Sequence, residues 1–196
     1  MTNVRNYTDN QILERVESHA EGFDGYPTDY WMVGVQSNED ETNSFDDKFY
    51  FFKGERCLMV LTGTTNAGKN CLEGYDRAGL SGACVWKTNM IYYGLYRPGK
   101  HKGRMDAWRQ QKPIYYYRDK DKDGKAEQEG EMHKGIIGVN FHTNTYKKDD
   151  RSVRKLIGAW SYGCQVTNQH DRYNKVMNLT KDQENITYAL LDEWEA

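Results

Sequence analysis

Two side chains in this sequence are of the type and placement that could perform covalent chemistry: a cysteine on a glycine turn and a histidine ending an apolar run. The cysteine is Cys164, in Ala159-Trp160-Ser161-Tyr162-Gly163-Cys164-Gln165, and the histidine is His142, in Gly138-Val139-Asn140-Phe141-His142. A thiol attacks as thiolate, and a nearby imidazole is the usual device that generates one near neutral pH. A Gly-Cys turn also aims main-chain N–H groups at an oxyanion developing on a carbonyl under attack. Ser161, three residues before the cysteine, could hydrogen-bond that oxyanion or the histidine. Spacing alone leaves a second reading open, a buried cysteine beside a structural histidine. His101, in Arg97-Pro98-Gly99-Lys100-His101-Lys102-Gly103, sits in a basic, glycine-flanked turn suited to a carboxylate. That segment reads equally well as a solvated basic hairpin.

These residues need a scaffold, and the sequence predicts one rich in strands. Thr8-Asp9-Asn10-Gln11 has the form of a capping box, followed by Ile12, Leu13, Val16 and Ala20 at helical spacing and ended by Gly22. Beyond it, short runs rich in Val, Ile, Tyr, Phe and Trp alternate with turn residues, predicting strands at 30–36, 48–53, 57–62, 82–87, 113–118, 136–142, 156–160 and 187–191. A second helix is predicted over 170–179, with Tyr173, Val176 and Met177 facing inward. Many short strands and few helices suggest an antiparallel sandwich or barrel with helices outside. Three long polar loops, 37–47, 64–81 and 119–134, are natural places for binding.

Composition narrows the classes. With 196 residues and no visible linker or repeat, the chain reads as one domain, 1–196. The 27 basic and 29 acidic residues give a net charge of −2, so no global field favours nucleic acid or an anionic membrane. Apolar runs of five or six residues are too short for membrane insertion. The aromatic fraction of 13% argues against a disordered chain. The start, MTNVRNYTDNQ, lacks the basic-then-apolar pattern of a secretory signal, so synthesis in the cytoplasm is expected.

Other motifs fall short of their chemistry. Gly63-Thr-Thr-Asn-Ala-Gly68-Lys69 approaches a P-loop, but Asn70 stands where the Mg²⁺-binding hydroxyl belongs. Asp119-Lys-Asp121-Lys-Asp123-Gly124 begins like an EF-hand loop, yet the closing position is Gly130 and no helices flank it; a solvated Asp/Lys turn is the simpler reading and a weak Ca²⁺-binding turn the alternative. No CxxC or Cys/His finger spacing suggests zinc, so neither metal nor cofactor is expected. Cys57 and Cys84 read as buried small hydrophobes and Cys71 as a loop residue open to solvent. His19, His133 and His170 read as surface residues, the last placed to cap the second helix.

Taken together, Asn140-Phe141-His142 and, after the gap, Trp160-Ser161-Tyr162-Gly163-Cys164-Gln165-Val166 resemble the catalytic motif of the L,D-transpeptidase (YkuD-like) domain. The likeness is to a compact, often phage-encoded branch and extends over roughly residues 80–180. Tyr162 replaces the family's histidine before glycine, and Gln165 stands where Arg or Asn commonly follows the cysteine. The resemblance implies a mostly β fold with flanking helices (α+β), an L,D-transpeptidase-like β-sandwich. It implies a monomer whose Cys164 attacks the L,D amide of a peptidoglycan stem peptide, with His142 as base and then acid. Tyr162, Gly163, Trp160, Gln165 and His101 would surround the substrate, and Ser161 would assist. Such a protein would act on the cell wall if phage-encoded or exported by another route. An inactive cell-wall-binding module or a virion component on the same fold is the alternative.

Overall fold

The strands form because apolar side chains alternate on both faces, and each face meets its own core. In the computed structural model, which describes residues 4–38 and 42–195, β1 (Tyr30–Gln36), β2 (Asp47–Lys53), β3 (Arg56–Thr64), β5 (Met90–His101), β6 (Met105–Gln110), β9 (Phe141–Thr143), β10 (Gln165–Thr167) and β11 (Ile186–Asp192) close into one barrel. The order around it is β1-β11-β5-β6-β9-β10-β3-β2. β4 (Ala83–Trp86), β7 (Ile114–Asp119) and β8 (His133–Gly135) make a separate three-stranded sheet. The protein is therefore mostly β with a few short helices. Most barrel pairs are antiparallel, as expected, but β1–β11 and β9–β10 run parallel.

Met32, Phe49, Phe51, Leu61, Trp108, Phe141, Tyr188 and Leu190 belong to one buried cluster, to which the small sheet contributes Cys84 and Trp86. The alternate residues Trp31, Val33, Val35, Tyr50, Phe52, Ala189 and Leu191 pack against Ile12, Leu13 and Val16 of α1 (Asp9–His19). That helix starts on the predicted capping box: the Thr8 side chain accepts from the Gln11 main chain, and the Gln11 side chain accepts the Thr8 N–H in return. A second helix of four residues, α2 (Lys69–Leu72), follows the P-loop-like segment. α3 (His170–Thr180) buries Tyr173 and Val176, with Met177 partly buried, and Trp108 Nε1 donates to Thr180 Oγ1 at 2.9 Å. Among the described residues no helix is long and apolar enough to cross a membrane.

Several sequence expectations require correction. Segment 136–140 is not strand, because the main-chain N–H groups of Ile137, Gly138 and Val139 all donate to Gln110 Oε1, at 3.0, 2.9 and 3.2 Å, and not to a neighbouring strand. Segment 156–160 is a turn: Leu156 makes a single bridge to Ser44, and Gly158, at φ +57°, donates its N–H to Asn43 Oδ1 at 2.6 Å. The basic segment around His101 is the end of β5 entering its hairpin to β6, the second of the two readings of that segment, with Lys102 and Gly103 at φ +50° and +69°. Cys71 is fully buried, whereas Cys57 is half-buried. His170 is a buried residue whose Nε2 faces the Lys148 carbonyl oxygen at 2.8 Å, and Gln169 occupies the helix cap. Residues 39–41 of the 37–47 loop lie outside the described residues.

Candidate active site

The parallel pairing of β9 and β10 brings the two chemically able residues together. Gln165 aligns with Phe141 and Val166 with His142, so Cys164 lies beside Asn140, one residue before each strand. Residues alternate between the sheet's faces. Phe141 joins the main core and Gln165 bonds Tyr188, while Cys164 and Val166 pack in a separate cluster with Phe45 and Ile157. His142 and Cys164 thus share the opposite face, and the Asn140 N–H donates to Cys164 Sγ at 3.4 Å.

His142 is wholly buried and held in one tautomer. Its Nδ1 lies 2.7 Å from the Thr143 carbonyl oxygen, which can only accept, so Nδ1 carries the proton. Its Nε2 is buried without a hydrogen-bond partner among the described residues, and ligand atoms of His142, His101 and Cys164 lie within 4.8 Å of one another. An unpaired imidazole lone pair beside a thiol is the arrangement of a general base.

His101 completes the cluster, its ring stacked on that of His142 with centroids 4.1 Å apart. Asn140 fixes its tautomer too. Asn140 Oδ1 accepts the Gln110 N–H at 3.1 Å, which turns the amide Nδ2 toward His101 Nδ1, also at 3.1 Å. Nδ1 is then an acceptor and Nε2 carries the proton. His101 therefore offers a donor to the site, whereas a His/His/Cys metal centre would need two ring lone pairs and a thiolate. Holding a metal would require the Asn140 amide to give up one of its bonds.

Burial dominates the electrostatics. It pushes the Cys164 thiol up to about 11, against smaller lowering effects from the Asn140 N–H and the Lys102 charge. Burial, then His101, bring His142 down to about 3, opposed by the Thr143 carbonyl; burial takes His101 to about 4, aided by Lys102 and Arg109. The site holds a neutral thiol beside two neutral imidazoles. The thiolate near neutral pH that the sequence suggested is not the resting form here.

The turn carrying Cys164 is shaped by the small sheet. Gly163 adopts φ +114°, and a Cβ on it would stand 2.6 Å from Cys84 Cβ. Trp86 Nε1 donates to the Gly163 carbonyl at 2.7 Å. Gly163→Ala is accordingly expected to cost on the order of 3 kcal/mol in strain and overpacking and to displace the thiol. Its turnover should fall at least about a hundredfold, since small misplacements at a reacting atom have that effect. Wild-type turnover and melting temperature in this variant would contradict this role for the turn.

The remaining predicted site residues divide into two groups. Ser161 is buried and braces the turn, its Oγ donating to the Cys164 carbonyl at 2.8 Å and accepting the Gly163 N–H at 3.2 Å. Its hydroxyl is thus engaged with the main chain, not with His142. Gln165 is also buried, its amide held between the Thr65 carbonyl at 3.2 Å and the Tyr188 hydroxyl at 2.6 Å, so it does not face the cleft. Trp160 and Tyr162 do line a cleft of about 520 Å³ that reaches Cys164. Lys102 and Arg118 supply its positive charge, while Lys100 points to Asp106 on an exposed edge, 2.7 Å away. Sequence reasoning includes Asn140 in the motif but assigns no role to it or to the Gln110 clamp on 137–139, because their side-chain bonds to distant main chain leave no local pattern.

The two buried imidazoles also set an acid limit on stability. Their folded-state values lie below the ordinary 6.5, so the unfolded chain binds protons first, and the stability present above pH 6.5 is lost as pH falls toward 4 and 3. His142 alone should contribute a loss on the order of 3 kcal/mol by pH 4. Urea midpoints should drop steeply between pH 7 and pH 4.5, and less steeply in His142→Gln. Equal slopes in the two proteins would contradict the neutral buried ring.

Compared with known protein families, curated proteins and solved structures, the chain matches none. What the site can do is therefore read from its own side chains. It presents a thiol at the base of a cleft, an oriented base behind it, and cationic and aromatic walls.

Proposed function

We propose that this protein is a cysteine-nucleophile acyl-transfer enzyme acting on an amide, with Cys164 as nucleophile and His142 as general base and then general acid. The observation that carries this reading is the buried His142 ring, its Nδ1 engaged by Thr143 and its Nε2 unpartnered, with a ring nitrogen within 4.8 Å of a thiol that opens on the cleft. Because thiol and imidazole are both neutral, the S–H proton passes to Nε2 as sulfur attacks the carbonyl carbon. Charge separation in so buried a site is favoured only when substrate is present to share it. Imidazolium then gives the proton to the leaving nitrogen, the C–N bond breaks, and a thioester remains on Cys164. An amine or water attacks the thioester, its proton passes to Nε2, and sulfur leaves to be reprotonated.

The substrate class proposed is the peptidoglycan stem peptide. Its support is the His142…Ser161-Tyr162-Gly163-Cys164 motif, together with a cleft whose cations, Lys102 and Arg118, suit a terminal carboxylate. On this reading the barrel and its three-stranded sheet are this chain's form of the L,D-transpeptidase β-sandwich, and the protein acts on the cell wall as a monomer. Incubation with purified muropeptides tests it. Release of a terminal D-amino acid, or formation of a cross-linked dimer, is expected. Retention on sacculi with no product would assign the fold to a binding module, and the absence of both product and retention would remove the wall as target. Lys102→Ala should raise KM more for stem peptides ending in a free carboxylate than for amidated ones, and equal effects would remove the carboxylate-reading role.

A further inference from the structure

The loop leaving β7 runs Asp119-Lys120-Asp121-Lys122-Asp123-Gly124-Lys125-Ala126-Glu127. In sequence it lacks a closing glutamate at the EF-hand position, but in the structure the chain closes sooner. Carboxylate oxygens of Asp121, Asp123 and Glu127 lie within 4.8 Å of one another. The N–H groups of Asp121, Asp123 and Lys125 donate in turn to Oδ1 of Asp119, Asp121 and Asp123, at 3.3, 2.9 and 2.8 Å. Gly124, at φ +90°, makes the bend.

Converging acidic side chains on a surface are common, and alone they indicate nothing about a ligand. The independent observation is Asp119. It is only 8% exposed, and its Oδ2 is buried with no hydrogen-bond partner among the described residues. The Asp121 N–H donates to its Oδ1 at 3.3 Å, which places this carboxyl at the head of the same loop. A buried carboxylate oxygen without a hydrogen-bond partner, at the start of a loop that gathers three further carboxylates, is unfavourable in a fold unless a cation is its partner.

We infer that residues 119–127 form a calcium site, with Asp119, Asp121, Asp123 and Glu127 as its carboxylate ligands. The donor set is all oxygen, which suits a hard cation. It is carried on a flexible, irregular loop, which suits the adaptable coordination of Ca²⁺ better than the strict octahedron of Mg²⁺. The ion has no part in the proposed proton transfers. It ties down the loop directly after Arg118, a residue of the cleft wall, and therefore acts on the shape of that wall.

The test uses the full chain, stripped with chelator and titrated with calcium chloride by calorimetry, alongside thermal unfolding. One Ca²⁺ per chain should bind, the melting temperature should rise by about 5 °C, and Mg²⁺ should bind at least about tenfold more weakly. The Asp121→Asn/Asp123→Asn double variant changes two exposed residues and should fold. Its calcium affinity should fall at least about tenfold and its thermal shift should vanish. Absence of saturable binding in the wild-type chain, or unchanged affinity in the double variant, would overturn the site. The binding readout is independent of any activity.

Discussion

Cys164→Ala should leave a folded protein with turnover on stem peptides reduced at least about ten-thousandfold, the scale on which removal of a covalent nucleophile acts. The structural cost should be small. The residue is 9% exposed, and the alanine forfeits only a long hydrogen bond from the Asn140 N–H and modest packing against Phe45, Ile157 and Val166. About 1 kcal/mol is expected, read as a shift of a few degrees in melting temperature. Cys57, Cys71 and Cys84 serve as controls. Their alanine variants should retain the chemistry, although Cys84→Ala removes packing beneath Gly163 and should lower stability. Persistent turnover in folded Cys164→Ala would end the nucleophile assignment.

His142→Gln should lower turnover by about a hundredfold to ten-thousandfold, the usual worth of a positioned general base. Glutamine fills most of the ring's volume, so the fold should survive where alanine would leave a cavity. Activity alone does not separate loss of a base from displaced packing, whereas alkylation of Cys164 does. With the thiol pushed up to about 11 and neutral at pH 7.5, its reaction with iodoacetamide depends on proton removal by Nε2 and should slow at least about tenfold in the variant. In the wild-type protein, thiolate absorbance should appear only well above pH 9. An unchanged alkylation rate would break the coupling between the two residues, whatever happened to turnover.

Features written into neighbouring residues are legible in the sequence. The capping box of α1, the inward face of α3 and the continuous apolar run of β1 are local patterns, and each appears where its residues place it. The types and order of His142 and Cys164 are legible in the same way. Their adjacency is not, because it depends on the parallel register of two three-residue strands, which the closure of the whole barrel imposes. The same holds for Gln110, whose side chain takes three main-chain N–H groups and so removes from the sheet a segment with the composition of a strand. Ser161 and Gln165 show the converse. Their chemistry suggests contact with substrate, yet both spend it on main chain and barrel interior. The acidic loop after β7 escapes an EF-hand template, which expects a closing carboxylate at a fixed position, while this loop brings in Glu127 earlier.

The most direct test of nucleophilic catalysis at this site is the mass of the protein itself. The wild-type chain, mixed with a stem peptide and quenched in acid within the first turnovers, should gain the mass of the acyl fragment. Proteolysis should place that addition on the peptide containing Cys164, and hydroxylamine should remove it, as it does a thioester. The gain should be absent in Cys164→Ala. Product formation without any adduct on Cys164, or an adduct on a different residue, would contradict the assignment of Cys164 as the acyl-carrying nucleophile.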